Sequence, residues 1–338
     1  MSDTALAALV GSVTGIGSHP GTDPREASAT VVGELTVAYL PELPGRGIGS
    51  DMIGRAAGFL PGIGVDTSTT GYRIGVRPGR TARLIDDYLQ RDLDAFEEAY
   101  ELAGRRGGRG VVKTQVAGPL TLAAGLELPN GHRVPRDRGA LRDVADSLAE
   151  GLAQHVAELR ARCGAQVIVQ LDEPSMAAVV NGTVPALTRL DPIRPIPAPD
   201  AAELLARVCD AVDAPVLVHL CGPIVWDVVH RLPIDGALVD VSQLTVADYE
   251  GFGVLSESSD MLGLGLVPAV RGSGLRDPAA LAESAVRLYD EIGLPRTALA
   301  RAAVTPACGL AGALEDEVRP ILAACTAVAT VLAEVAAG

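Results

Sequence analysis

Three residues in the second half of the chain have types and spacing that could do chemistry: His219, Cys221 and Cys308. His219-Leu220-Cys221-Gly222 closes an aliphatic run that begins at Pro215. On an extended strand residues i and i+2 face the same side, so an imidazole and a thiol are presented together. Cys308 stands in Thr305-Pro306-Ala307-Cys308-Gly309-Leu310, after another strand-like run. Imidazole and thiolate suit the borderline-soft zinc ion, Zn2+, in a tetrahedral site. Three protein ligands leave the fourth position open, as catalytic zinc sites do. The competing reading is a hydrogen-bonded core histidine with two packing cysteines. The chain has five cysteines, and the other three, Cys163, Cys209 and Cys325, stand in helical text and read as small buried hydrophobes. An odd, sparse set argues against a disulfide framework.

Two further constellations follow strand-like runs. Asp172-Glu173-Pro174 puts two carboxylates after a buried run, where isolated charge is costly. Such carboxylates hold a substrate ammonium group, cap a helix, or are solvated. Gly15-Ile16-Gly17-Ser18 offers backbone N–H groups and a hydroxyl to a carboxylate, or is an ordinary turn. As a nucleotide loop it is incomplete, because Pro20 interrupts the glycine pattern. His19 reads better as loop packing than as a catalytic group.

The elements that must position these residues are strands alternating with amphipathic stretches. Eight candidate strands span 11–17, 35–40, 111–117, 165–171, 215–220, 236–241, 261–267 and 301–305. Helical patterns are clearest over 92–102, 141–163, 200–211, 278–292 and 318–336. The alternation implies right-handed βαβ units and a parallel sheet. Eight repeats imply an α/β fold closed as a (β/α)₈ TIM barrel, whose active site lies at the C-terminal ends of the strands. Two stretches depart from the repeat. Residues 41–80 are rich in Gly and Pro and read as an extended insertion after strand two, with room for a β-hairpin within 64–79. Residues 128–139 read as an exposed loop. No linker or composition shift divides the chain, so 1–338 is expected to be a single domain.

Aromatics make up only 3% of the chain and hydrophobic residues 48%, so the core must be Ala, Val, Leu and Ile, as suits buried parallel strands. The net charge of −14 argues against a nucleic-acid partner. No apolar run is expected to reach the roughly 18 residues of a membrane span, and the start Met-Ser-Asp-Thr lacks the basic residues of a signal peptide. A cytoplasmic location, with no membrane partner, is the expectation.

Taken in order, Ile16-Gly17-Ser18-x-Pro20, Gly118-Pro119-Leu120-Thr121, Asp172-Glu173-Pro174, His219-x-Cys221 and Pro306-x-Cys308-Gly309-Leu310 resemble the C-terminal catalytic barrel of cobalamin-independent methionine synthase. The wider group includes uroporphyrinogen decarboxylase and corrinoid-linked methyltransferases. The resemblance implies that His219, Cys221 and Cys308 bind zinc. It implies that Asp172 holds the homocysteine amine and that Ile16, Gly17 and Ser18 hold its carboxylate. The substrate sulfur then takes the open zinc position and attacks a methyl donor as a thiolate. Three features depart from the family. Its zinc-ligating Glu matches Ser242 here, with Asp240 or a water as substitutes. Its amine-binding Glu after strand two is missing, and Glu42 is the candidate replacement. Its His after strand seven is absent from Leu264-Gly265-Leu266-Val267-Pro268. The resemblance covers only the catalytic half of the full synthase, so the expected donor is methyl-folate or a corrinoid protein, and a homodimer stays open. Two other readings compete. A uroporphyrinogen-type decarboxylase needs a large basic-lined cleft and no zinc, which the His/Cys/Cys set opposes. A non-catalytic zinc- or thiol-binding barrel is kept open by the missing Glu and His.

Overall fold

The computed structural model describes residues 2–75, 79–108, 110–188, 190–270 and 276–338. Among the described residues ten strands form, most of them from the aliphatic and β-branched runs. They are Ala38–Tyr39 (β1), Gly64–Ser68 (β2), Gly71–Gly75 (β3), Val111–Ala117 (β4), Leu126–Glu127 (β5), Gln166–Asp172 (β6), Val216–Leu220 (β7), Gly236–Asp240 (β8), Met261–Val267 (β9) and Ala303–Pro306 (β10). Seven of them make a parallel half-barrel sheet in the order β1-β4-β6-β7-β8-β9-β10. Helices return the chain between most successive strands, as a TIM-barrel-like α/β fold requires.

The strands expected over 111–117 and 261–267 form end to end, and those at 165–171, 215–220, 236–241 and 301–305 form with ends moved by one or two residues. The first two expected strands are reduced. Only Ala38–Tyr39 of 35–40 joins the ladder, and 11–17 contributes isolated bridges. Val13 pairs with Val304 on one side and Ser18 with Glu42 on the other, so this segment stands between β10 and the chain that follows β1. Its hydrogen bonds are real but sparse: Val304 N–H to Ser12 O at 2.9 Å, and Glu42 N–H to Gly17 O at 3.1 Å. Gly15 and Gly17 lack a side chain because the Tyr39 ring and the Gln115 side chain occupy the space where each Cβ would stand.

Alternation along the strands builds the interior in storeys. The lower one is apolar: Val111, Ile168, Leu217, Leu238 and Ala303 meet Leu6 and Leu9 at and after the helix Ser2–Ala7. Two residues further along the same strand faces come Lys113, Gln170, His219, Asp240 and Thr305, all buried and all polar. A second, larger cluster lies between sheet and helices.

Several elements outside the sheet differ from expectation. The hairpin forms as β2 against β3, and β5 adds a parallel third strand; residues 76–78 of its expected range lie outside the described residues. The helix expected over 92–102 begins at Arg80, because Thr81, Ile85, Leu93, Phe96 and Tyr100 continue one buried stripe through polar text. Residues 128–139 are not a simple exposed loop. Val134 is fully buried in a 3₁₀ turn, Val134–Arg136, and Asp137 then caps the helix Arg138–Cys163 by accepting from the Gly139 and Ala140 N–H groups. The helix Pro24–Glu34, capped by Asp23, was not distinguished in the sequence. The stretch Glu315–Ala337 also corrects an expectation: by length and composition it is apolar enough to cross a membrane. In the fold, its helix Val318–Ala337 lays Val318, Ile321, Leu322, Cys325, Val328 and Leu332 on one buried stripe beside β10.

Candidate metal centre

The parallel register sets Asp172, the last residue of β6, beside His219 of β7. Both side chains face the barrel interior, and Asp172 Oδ1 lies 2.9 Å from His219 Nδ1. His219 is buried, and its Nε2 has no hydrogen-bond partner among the described residues. Cys221 follows the end of β7, and Cys308 stands on the exposed turn after β10. One ligand atom from each of His219, Cys221 and Cys308 lies within 4.8 Å of the other two. The hydrogen bond between the thiols drives their acidities apart: Cys308 is pulled down to about 6, and Cys221 is pushed up. The donor set therefore fits a zinc-type ion. It holds a thiol ready to ionise, a second sulfur, and a buried imidazole nitrogen with nothing else to bind. A carboxylate on the other ring nitrogen is the usual support of a metal-ligating histidine.

The two carboxylates after β6 divide the roles open to them. Glu173 caps the helix Pro119–Gly125, accepting from Leu120 N–H at 2.9 Å, Thr121 N–H at 2.8 Å and Thr121 Oγ1 at 2.6 Å. Asp172 stays in the interior, where Gln170 Nε2 donates to its Oδ1 at 2.6 Å. Burial pushes Glu42 up to about 7, against the pull of Arg55, whose Nε lies 3.5 Å away, and with the push of the Asp172 charge. Ser18 ties the first segment to the Cys308 turn: its carbonyl accepts from Leu310 N–H at 2.8 Å and its Oγ from Ala311 N–H at 3.3 Å. Gly309 has no room for a Cβ because Ser18 Oγ fills the place. Ile16, Gly17 and Ser18 thus run from the lower apolar storey to the Cys308 turn, with Glu42 paired to Ser18. His19 bonds Pro20 O through Nδ1 at 2.7 Å, a loop-packing contact. Asp240 stands outside the group of three ligands; its Oδ1 takes the Ser242 N–H at 3.0 Å and the Ser242 hydroxyl at 2.6 Å.

Residues 12–331 match the family described as cobalamin-independent synthase, catalytic domain. The chain belongs to that family. The fold of this synthase-type catalytic domain is similar to that of a B12-independent methionine synthase from Shewanella sp. W3-18-1, solved in complex with selenomethionine. The TM-score is 0.63 at 12% identity, over 96% of this chain and 98% of that one. A GH113 β-mannanase from Alicyclobacillus acidocaldarius overlaps with a TM-score of 0.43 at 13% identity, over 97% of this chain and 99% of that one. No curated protein matches the chain by sequence.

The structure also buries charged groups that the sequence does not single out. Lys113 is fully buried on β4, with Nζ donating to Ile16 O at 2.9 Å and to Gln170 Oε1 at 2.5 Å. Its signal was present: in Val111-Val112-Lys113-Thr114-Gln115 alternation puts Lys113 and Gln115 on one face of a buried strand. Asp92 was also missed. Arg46 grips it with two bonds of 2.7 and 2.8 Å, and Arg55, beside Glu42, adds a third of 3.0 Å. These arginines come from the Gly- and Pro-rich stretch, where the sequence shows composition but no periodicity to place them.

Proposed function

We propose that the chain is a zinc-dependent methyltransferase that activates homocysteine or a related thiol for attack on a methyl donor, forming methionine or a related thioether. The observation that carries this reading is the unpartnered His219 Nε2 grouped with the sulfurs of Cys221 and Cys308, in a family of synthase catalytic domains. We read the segment 11–17 as the strand position that closes a (β/α)₈ barrel, with 1–338 as one domain and the stretch after β1 as its insertion. Zinc, when bound, supplies the Lewis acidity that lowers a substrate thiol's pKa. The chain's own residues then have separate tasks. His219, Cys221 and Cys308 hold the ion, with Asp172 orienting His219. Asp172 and Glu42 receive the substrate ammonium, whose charge favours the ionised form of the Glu42 carboxyl. Ile16, Gly17 and Ser18 receive its carboxylate. In the transfer a sulfur–carbon bond forms and the bond between methyl and donor breaks. The donor, methyl-folate or a corrinoid protein, keeps the bonding electron pair. We read the enzyme as cytoplasmic, without nucleic-acid partners.

A second reading, a zinc-binding barrel without turnover, is favoured by one observation: Asp240 is engaged with Ser242 outside the group of three ligands. Elemental analysis comes first, on wild type and Cys308→Ser. About one zinc per wild-type chain and much less in the variant is the expected result for a three-ligand site. No zinc bound or taken up on titration would sink thiol activation. Turnover of homocysteine with methyl-folate or methylcobalamin then separates enzyme from binding protein.

A further inference from the structure

Lys113 sits in the barrel interior with no exposed surface, 5.5 Å from the centroid of the Tyr39 ring. Burying an ammonium or amine without partners is costly, and this one has two oxygen acceptors, Ile16 O and Gln170 Oε1. Burial pulls the lysine down to about 7, and as ammonium or as amine its Nζ has N–H groups to give to these two oxygens. The Gln170 oxygen is therefore held toward Lys113, and the amide nitrogen faces the other way. There Nε2 donates to Ile16 O at 2.9 Å and to Asp172 Oδ1 at 2.6 Å. Asp172 Oδ1 is also the partner of His219 Nδ1. A carboxylate only accepts, so Nδ1 carries the ring proton and Nε2 keeps its lone pair. Nε2 is buried and has no hydrogen-bond partner among the described residues.

The geometry points to Lys113 as a positioning residue for the metal centre. By fixing which way Gln170 carries its amide, it holds Asp172 to the His219 ring and keeps Nε2 in the metal-binding tautomer. The inference rests on the zinc reading for the identity of the ion, whereas the tautomer is a property of the metal-free chain. Ile16 O accepts from both Lys113 and Gln170, so the same contacts tie the Ile16-Gly17-Ser18 segment to the histidine.

The test uses ¹⁵N-labelled, metal-free full-length protein. Long-range ¹H–¹⁵N spectra report the tautomer of each of its five histidines, and the His219→Gln spectrum identifies the His219 signals. Wild-type His219 is expected to be protonated at Nδ1. Lys113→Met and Gln170→Leu should each move it toward the other tautomer and weaken zinc binding, read against a chromophoric chelator, by about 10- to 100-fold. The double variant should be no worse than Gln170→Leu, because the lysine acts through the glutamine. A lysine that only supports the fold would lower the melting temperature and leave the tautomer alone. An Nε2–H tautomer in wild type, an unmoved tautomer in Lys113→Met, or additive losses in the double variant would overturn the inference. If Lys113→Met does not fold, Gln170→Leu reads the next link, and an unchanged tautomer there overturns it equally. Tautomer shifts as expected in a protein that never binds zinc would uphold the relay and remove the zinc reading instead.

Discussion

Cys308 differs from the three helical cysteines in the two properties that govern thiol reactivity, access and acidity. It is exposed, and its thiol is drawn down to about 6 by the hydrogen bond from Cys221. Burial pushes Cys163 and Cys209 up to about 12 and raises Cys325 as well. In metal-free protein at pH 7, brief iodoacetamide treatment should therefore alkylate Cys308 first and leave those three intact, as peptide mass spectrometry will show. Zinc added beforehand should protect Cys308, since an ion held by that sulfur takes the lone pair that attacks the reagent. Equal labelling of Cys308 and Cys163 would contradict the environments described here. That His219, Cys221 and Cys308 come together was legible in the sequence for a simple reason: i and i+2 on a strand share a face, and a Gly after each Cys marks the turn. Asp172 was singled out only through the family resemblance; the residues alone leave both carboxylates open, because Glu173 is fixed by Thr121, far away in the sequence.

At the scale of elements, buried parallel strands announce themselves as aliphatic runs, which is why β4 and β9 were placed to the residue. The segment 11–17 holds its strand position through isolated bridges rather than a full ladder, because its glycines serve close approach to Tyr39 and Gln115. Helix starts were the least legible, since Arg80 opens a helix in text where Thr81 and Ile85 alone are buried before Asp92. The long helix Arg138–Cys163 carries a further consequence. Its His155 is buried against β4, with Nε2 3.0 Å from Thr114 Oγ1 and its ring 4.7 Å from that of Phe59. Burial lowers its pKa to about 3. An unfolded chain takes up a proton there near pH 6.5, whereas the native chain refuses it until about pH 3. The unfolded state thus binds more protons as pH falls through this window, and stability declines with acidity. His155→Leu should lose about 1 kcal/mol at pH 7 from the unpaired Thr114 hydroxyl. It should also flatten the fall in urea midpoint between pH 6.5 and pH 4.5. An acid limb as steep as that of wild type would refute the assignment.

The whole molecule separates what holds it together from what it does. The lower storey, closed by Leu6 and Leu9, is apolar, and the polar residues begin only two positions further along each strand. Barrels place stability at the N-terminal ends of the strands and chemistry at the C-terminal ends. Leu9 is fully buried among Ile16, Val111 and their neighbours of the lower storey, so Leu9→Ala leaves a cavity that the rigid strand ends cannot collapse. The expected cost is about 2–5 kcal/mol, read as a lower urea midpoint. The candidate metal site stands at the other end of β7 and β10, where Asp172 meets His219 and Ser18 meets the Leu310 turn. Zinc per folded chain should therefore stay at the wild-type value in Leu9→Ala. The one route by which the floor could reach the mouth is Ile16, which belongs to the apolar storey and whose carbonyl accepts from Lys113 and Gln170. A variant that stays folded yet loses zinc would show that this route transmits the defect, and that floor and mouth form one cooperative unit.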